Sequence, residues 1–102
     1  MPENVKKYRP RVPKGLGPLG RDLWIKTVEA FELEPHGLAL LHEMCTTKDR
    51  IAELEAIVDR EGIMVDSPQG RKVNSALAEA RQLRVVLYRL AGAMGFPDEV
   101  EP

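Results

Sequence analysis

The chain has 102 residues, 43% of them hydrophobic but only 5% aromatic, and a formal charge of -1. That length supports one domain at most, with a core of leucine, valine and alanine, because Tyr8, Trp24, Phe31, Tyr88 and Phe96 are the whole aromatic set. The single cysteine, Cys45, excludes an internal disulfide and argues against a zinc site. No apolar run reaches the roughly 20 residues of a membrane span and no signal-peptide core follows the charged start, so the sequence reads as cytosolic.

The small net charge conceals segregation along the chain. Up to Arg21, six bases face Glu3 alone; from Glu29 to Glu61, nine acids face Lys48, Arg50 and Arg60. From Gly62 to Met94 the sign reverses, with Arg71, Lys72, Arg81, Arg84 and Arg89 against Asp66 and Glu79. An acidic segment followed by a basic one predicts that the two lie against each other, within one chain or between subunits. Self-association is a natural way for so small a body to hide its apolar stripes.

Residues 1–20 read as an extended basic arm. Lys6, Lys7, Arg9, Arg11 and Lys14 are interspersed with Pro2, Pro10, Pro13 and Pro18 and with Gly15, Gly17 and Gly20, which interrupt regular structure. A first short helix is predicted from Arg21 or Asp22 to the region of Glu32 to Glu34, with Trp24, Val28 and Phe31 on its apolar face. Pro35 suits the first turn of a second helix. Its seam, Leu40, Met44, Thr47, Ile51, Leu54 and Val58, alternates steps of four and three until Gly62 offers a stop. Such a helix is about 40 Å long, and the pair Thr46-Thr47 is a place where it could break or bend.

Ile63-Met64-Val65-Asp66 and Arg71-Lys72-Val73 flank Ser67-Pro68-Gln69-Gly70, the composition of a small β-hairpin. Asn74 or Ser75 can cap a third helix with the seam Ala76, Ala80, Leu83, Leu87, Leu90 and Met94, ended by Gly95 and Pro97. The expected fold is mainly α: a short N-terminal helix, then a long antiparallel helical hairpin with the β-hairpin at its tip. Residues 21–97 form the single helical domain, and residues 98–102, with Asp98, Glu99 and Glu101, an acidic tail. Trp24, Phe31, Met44, Ile51, Leu54, Val58, Leu83, Leu87 and Leu90 are the expected residues of the core and of any oligomer seam.

No constellation points to catalysis or to a cofactor. His36 and His42 are six residues apart, which puts them on different sides of a helix and disfavours shared metal binding. Cys45 has His42 one turn away but no orienting group or oxyanion site, so a buried structural cysteine is the simpler reading. Asp49, Glu53, Glu55, Asp59 and Glu61 are spread around a helix without the carboxylate-histidine spacing of a di-iron bundle, and read as a solvated or salt-bridged face. Gly15, Gly17 and Gly20 lack the preceding strand of a phosphate-cradling loop. The basic arm has two readings, a solubilising tail or a set of phosphate contacts. On the second, Lys6, Lys7, Arg9, Arg11, Lys14, Arg21, Arg71 and Lys72 touch nucleic acid.

In order and spacing, several features over residues 13–97 resemble the phage terminase small subunits of the P27 family. These are the basic Pro/Gly-rich leader before Trp24, Leu41 and Cys45 in the second helix, and Gly62 closing it. Val65 and Gly70 follow in the hairpin, then Lys72 to Asn74 leading into Ala76-Leu77, Leu87, Leu90, and the ending Met94-Gly95-Phe96-Pro97. Ser75 stands where such proteins often carry proline. The resemblance implies a non-catalytic component of viral genome packaging in the host cytoplasm. It would be an oligomeric, usually ring-shaped protein that engages double-stranded concatemeric viral DNA and delivers it to the large terminase subunit, which carries the ATPase and nuclease chemistry. Two other classes fit parts of the pattern: a regulator with a helix-turn-helix spanning Trp24 to Cys45, and a structural helical-hairpin module that binds another protein along its seam.

Overall fold

The computed structural model describes residues 9–96. Its order is α1 (Pro18–Ala30), α2 (Pro35–Glu61), β1 (Met64–Ser67), β2 (Gly70–Val73) and α3 (Ser75–Ala93). α2 and α3 form the long antiparallel helical hairpin, β1 and β2 pair antiparallel at its tip, and α1 packs on the N-terminal half of α2. The body is thin. Its radius of gyration is 17.6 Å, against about 13 Å for a compact domain of 100 residues.

α1 begins at Pro18, three residues before the expected start. Proline at the first helical position loses no hydrogen bond, since its missing N–H would be unpaired there anyway. Two of the other N-terminal donors are satisfied from another helix: the Gly17 and Gly20 N–H groups donate to the two carboxylate oxygens of Asp49 on α2, at 2.7 and 2.8 Å. Asp49 thus serves as a remote N-cap and is not the solvated acid expected from sequence. α1 also ends early, at Ala30, and Phe31 falls at its C-cap with extended backbone. Phe31 is consequently 45% exposed and stacks on Phe96 rather than joining the core face with Trp24 and Val28.

α2 runs unbroken for 27 residues. Thr47 is buried and its hydroxyl donates to the Glu43 carbonyl one turn back at 2.7 Å, so the Thr46-Thr47 pair is accommodated within the helix. α2 uses two faces. Leu41 and Cys45 meet Trp24 and Val28 in the central cluster, while Met44, Thr47 and Ile51 are buried along the seam toward α3. The four-three pattern locates the second face only; Leu41 and Cys45, the two fully sealed side chains, lie one position away from its members Leu40 and Met44. Leu54, Val58, Leu83, Leu87 and Leu90 are half-buried; for Leu54, Val58 and Leu83 the reason is that beyond α1 each long helix has only the other beside it.

The tip is held by Asn74. Its Oδ1 accepts from the Ala76 N–H at 3.0 Å and caps α3, while its Nδ2 donates to the Gly62 carbonyl at 3.0 Å and to Glu61 at 3.4 Å. One side chain therefore ties the end of α2 to the start of α3. Gly62 ends α2 at φ +95°, a left-handed conformation that side chains with a Cβ rarely adopt. Between the helices, Met64 pairs with Val73 and Ser67 with Gly70, leaving Pro68 and Gln69 as the turn.

Residues 9–17 form no helix or strand, as expected of an extended arm, but they are docked on the body. Val12 and Leu16 pack against the Trp24 cluster, Trp24 Nε1 donates to the Pro10 carbonyl at 3.3 Å, and Arg9 pairs with Glu29 at 3.2 Å. Lys6, Lys7 and the acidic residues 98–102 lie outside the described residues.

Candidate nucleic-acid interface

The described members of the set expected to contact phosphate, Arg9, Arg11, Lys14, Arg21, Arg71 and Lys72, do not form one patch. Arg11 and Lys14 on the leader and Arg21 in the first turn of α1 are exposed, and none forms an ion pair among the described residues. Their backbone is fixed: the leader is docked through Pro10, Val12 and Leu16, and the Arg21 N–H donates to the Gly17 carbonyl at 2.9 Å. Arg9 differs, since its guanidinium is already engaged by Glu29.

Arg71 and Lys72 belong to a separate place. α1 starts beside Asp49, and the twelve residues from there to Glu61 span about 18 Å before the hairpin begins. Neighbouring residues of a strand point to opposite faces, so Arg71 and Lys72 cannot both meet one surface. Arg71 is moreover opposite Asp66 in the ladder and pairs with it at 3.6 Å. The hairpin therefore offers Lys72, opposite Val65, as its one base without an ion pair among the described residues.

Lys48, Arg81 and Arg89, absent from the expected contact set, are exposed and form no ion pair among the described residues. Arg81 and Arg89 are exposed on α3 on either side of Tyr88, itself 64% exposed. Their spacing of eight residues, just over two turns, is the signal that places them on one face.

Cys45 is a packing residue. It is fully buried, and burial together with the negative charge of Asp49 pushes its pKa from 9.0 up to about 12. Between these values the unfolded chain releases the thiol proton while the folded one keeps it. The buried thiol thus contributes stability that is full below pH 9 and declines as the pH rises toward 12. Urea unfolding at pH 8 and pH 10.5 should give a lower midpoint at the higher pH, and a Cys45→Ser variant should show a smaller decline. A native thiol titration at pH 8 should leave Cys45 unmodified until denaturant is added.

His42 sets its ring edge-on to Trp24 with centroids 6.5 Å apart, and His36 lies 4.0 Å from Glu34. Among the described residues no group of three or more histidine, cysteine, aspartate or glutamate side chains is arranged to hold a metal ion, and no helix is long and apolar enough to cross a membrane. α2 is flanked by α1 and α3, and the exposed side it retains carries Glu43, Arg50 and Glu53. No protein-family model, curated protein or solved structure matches the chain.

Proposed function

We propose that this protein is a DNA-packaging adaptor, the small subunit of a viral terminase. It engages double-stranded viral DNA in the host cytoplasm and delivers it to a large ATPase and nuclease subunit. The observation that carries the DNA-binding part is the trio Arg11, Lys14 and Arg21: exposed, without ion pairs among the described residues, and mounted on backbone that the core holds in place. Fixed backbone lowers the conformational entropy lost on meeting a phosphate. Self-assembly is supported by the thinness of the body, in which the largest fully sealed side chains among the described residues are Leu41 and Cys45, while Ile63, Val73 and Tyr88 are each more than half exposed. The order of leader, long helix, hairpin and closing helix supports the packaging role through its resemblance to terminase small subunits.

The test is a salt-dependent titration against a short DNA duplex. Replacing Arg11, Lys14 and Arg21 together by alanine should reduce the slope of log affinity against log salt by about 2 to 3 and weaken binding near 0.15 M salt by about a hundredfold. Replacing Arg71 and Lys72 should have a smaller effect, since Arg71 already has a partner. An unchanged slope in the triple variant, with its circular dichroism intact, rejects the leader as the DNA contact.

A further inference from the structure

α3 turns away from α2 a face that no other element covers among the described residues. Taking about 100° per residue, Ala78, Arg81, Arg89 and Gly92 lie within about 40° of Val85, with Gln82 and Tyr88 at the flanks. All are exposed. The seam residues Ala76, Ala80, Leu83 and Leu87 lie on the opposite side, toward α2. The one acid of α3, Glu79, is about 120° from Val85, so the outward face is basic and apolar with no carboxylate.

The distal half of α2 presents the opposite chemistry. α1 reaches α2 at Asp49 and then runs back toward Leu41, so Ala56 and Asp59 lie beyond it and are exposed, with the exposed Glu53 beside Gly15 to Gly17 of the leader. Asp59 forms no ion pair among the described residues, and Glu53 has only the exposed Arg50 on its own helix. Within the chain a single ion pair joins the two long helices, Arg84 with Glu55. The charge difference between α2 and α3 is therefore little used in ion pairs between these two helices.

We infer that the outward face of α3, centred on Arg81, Val85 and Arg89, docks on the distal outward face of α2 of a second copy, where Glu53 and Asp59 flank Ala56 at about 60° on either side. The contact is head-to-tail. Two α3 faces set against each other would oppose arginine to arginine, so an isologous dimer through this face is repelled. The Arg84 to Glu55 pair sets the relative heights of the helices. A neighbour in the same orientation then brings Arg81 level with Asp59, Val85 beside Ala56, and Arg89 within about one turn of Glu53. The small side chain of the exposed Ala56 leaves room for Val85. A heterologous contact of this kind generates a ring or a filament, never a closed dimer. The inference rests on the self-assembly in the proposed function and on none of its DNA-binding part.

The experiment measures the solution mass of the full chain by light scattering. The unaltered protein should assemble beyond a dimer. R81E/R89E and E53R/D59R should each fall to monomer mass with unchanged helical circular dichroism. An equimolar mixture of the two variants, in which each repelled face meets a complementary one, should recover the assembly. A monomeric unaltered protein overturns both this interface and the self-assembly it rests on. An assembled R81E/R89E variant overturns this interface alone, and if that variant also loses affinity for a DNA duplex the α3 face is a nucleic-acid surface instead. Dispersal by both variants without recovery on mixing overturns the pairing of α3 with α2.

Discussion

Gly20→Ala is expected to destabilise the protein by about 2–3 kcal/mol, the reverse of what helix propensity alone predicts. In an exposed helix the same change stabilises by about 1 kcal/mol. Here a Cβ on Gly20 would overlap the Asp49 carboxylate and sit 2.7 Å from the Cys45 carbonyl oxygen, both on α2. The Cys45 carbonyl belongs to a helix backbone that cannot yield, so α1 must move outward. Overpacking of this kind costs about 1–3 kcal/mol, and the displacement also loosens the hydrogen bonds from Gly17 and Gly20 to Asp49. Urea unfolding followed by the fluorescence of Trp24 measures the change. Removing the acceptor in Asp49→Ala should cost about 2 kcal/mol, since two helix N-terminal donors lose an ionised partner. In the double variant the two losses should add to less than their sum, because without the carboxylate only the Cys45 carbonyl obstructs the new methyl group. Strict additivity would show that Gly20 and Asp49 act separately.

Leu41→Ala should be the most damaging of the simple core truncations, at about 3–5 kcal/mol. Leu41 is fully buried at the one place where three layers meet: the leader with Val12 and Leu16, α1 with Trp24 and Val28, and α2 itself. A cavity there is enclosed on every side and cannot relax by admitting water. Leu54→Ala, in the two-layer part of the α2–α3 hairpin, should cost the dilute monomer about 1 kcal/mol, because a half-exposed side chain has less transfer free energy to lose. For a body of this size the first loss is comparable to the whole stability expected of a small domain. Equal losses at the two positions would mean that the hairpin is covered by another chain under the conditions of measurement.

Much of the architecture was legible because it is written in local patterns. Pro35 and Gly62 bracket α2, the Ser67-Pro68-Gln69-Gly70 turn separates two β-prone runs, and the Asn74 cap precedes the α3 seam; each of these signals acts over a few residues. What the patterns missed depends on contacts between segments far apart in the chain. Asp49 lies among other acids of α2 and differs from them only because Gly17 and Gly20, about thirty residues earlier, approach it closely. α1 could extend back to Pro18 for the same reason. Leu41 and Cys45 sit beside the recognised seam, and a helix packed on two sides needs two stripes where a hairpin rhythm reveals one. Phe31 fits the period of α1 but falls after its last turn, so its ring goes to Phe96 instead of the core.

The candidate site divides along the same line. From sequence alone come the elements, their order, the alternation of charge and the set of bases available to meet phosphate, because composition and short-range periodicity determine these. The tertiary structure decided which bases are available: Arg9 and Arg71 are taken up by Glu29 and Asp66, Arg11, Lys14 and Arg21 stand exposed on docked backbone, and Arg81 and Arg89 line an uncovered helix face. The physical reason is that a charge is identical in any sequence position, while its partner, its exposure and the rigidity of the backbone beneath it are set by residues brought near only when the chain folds.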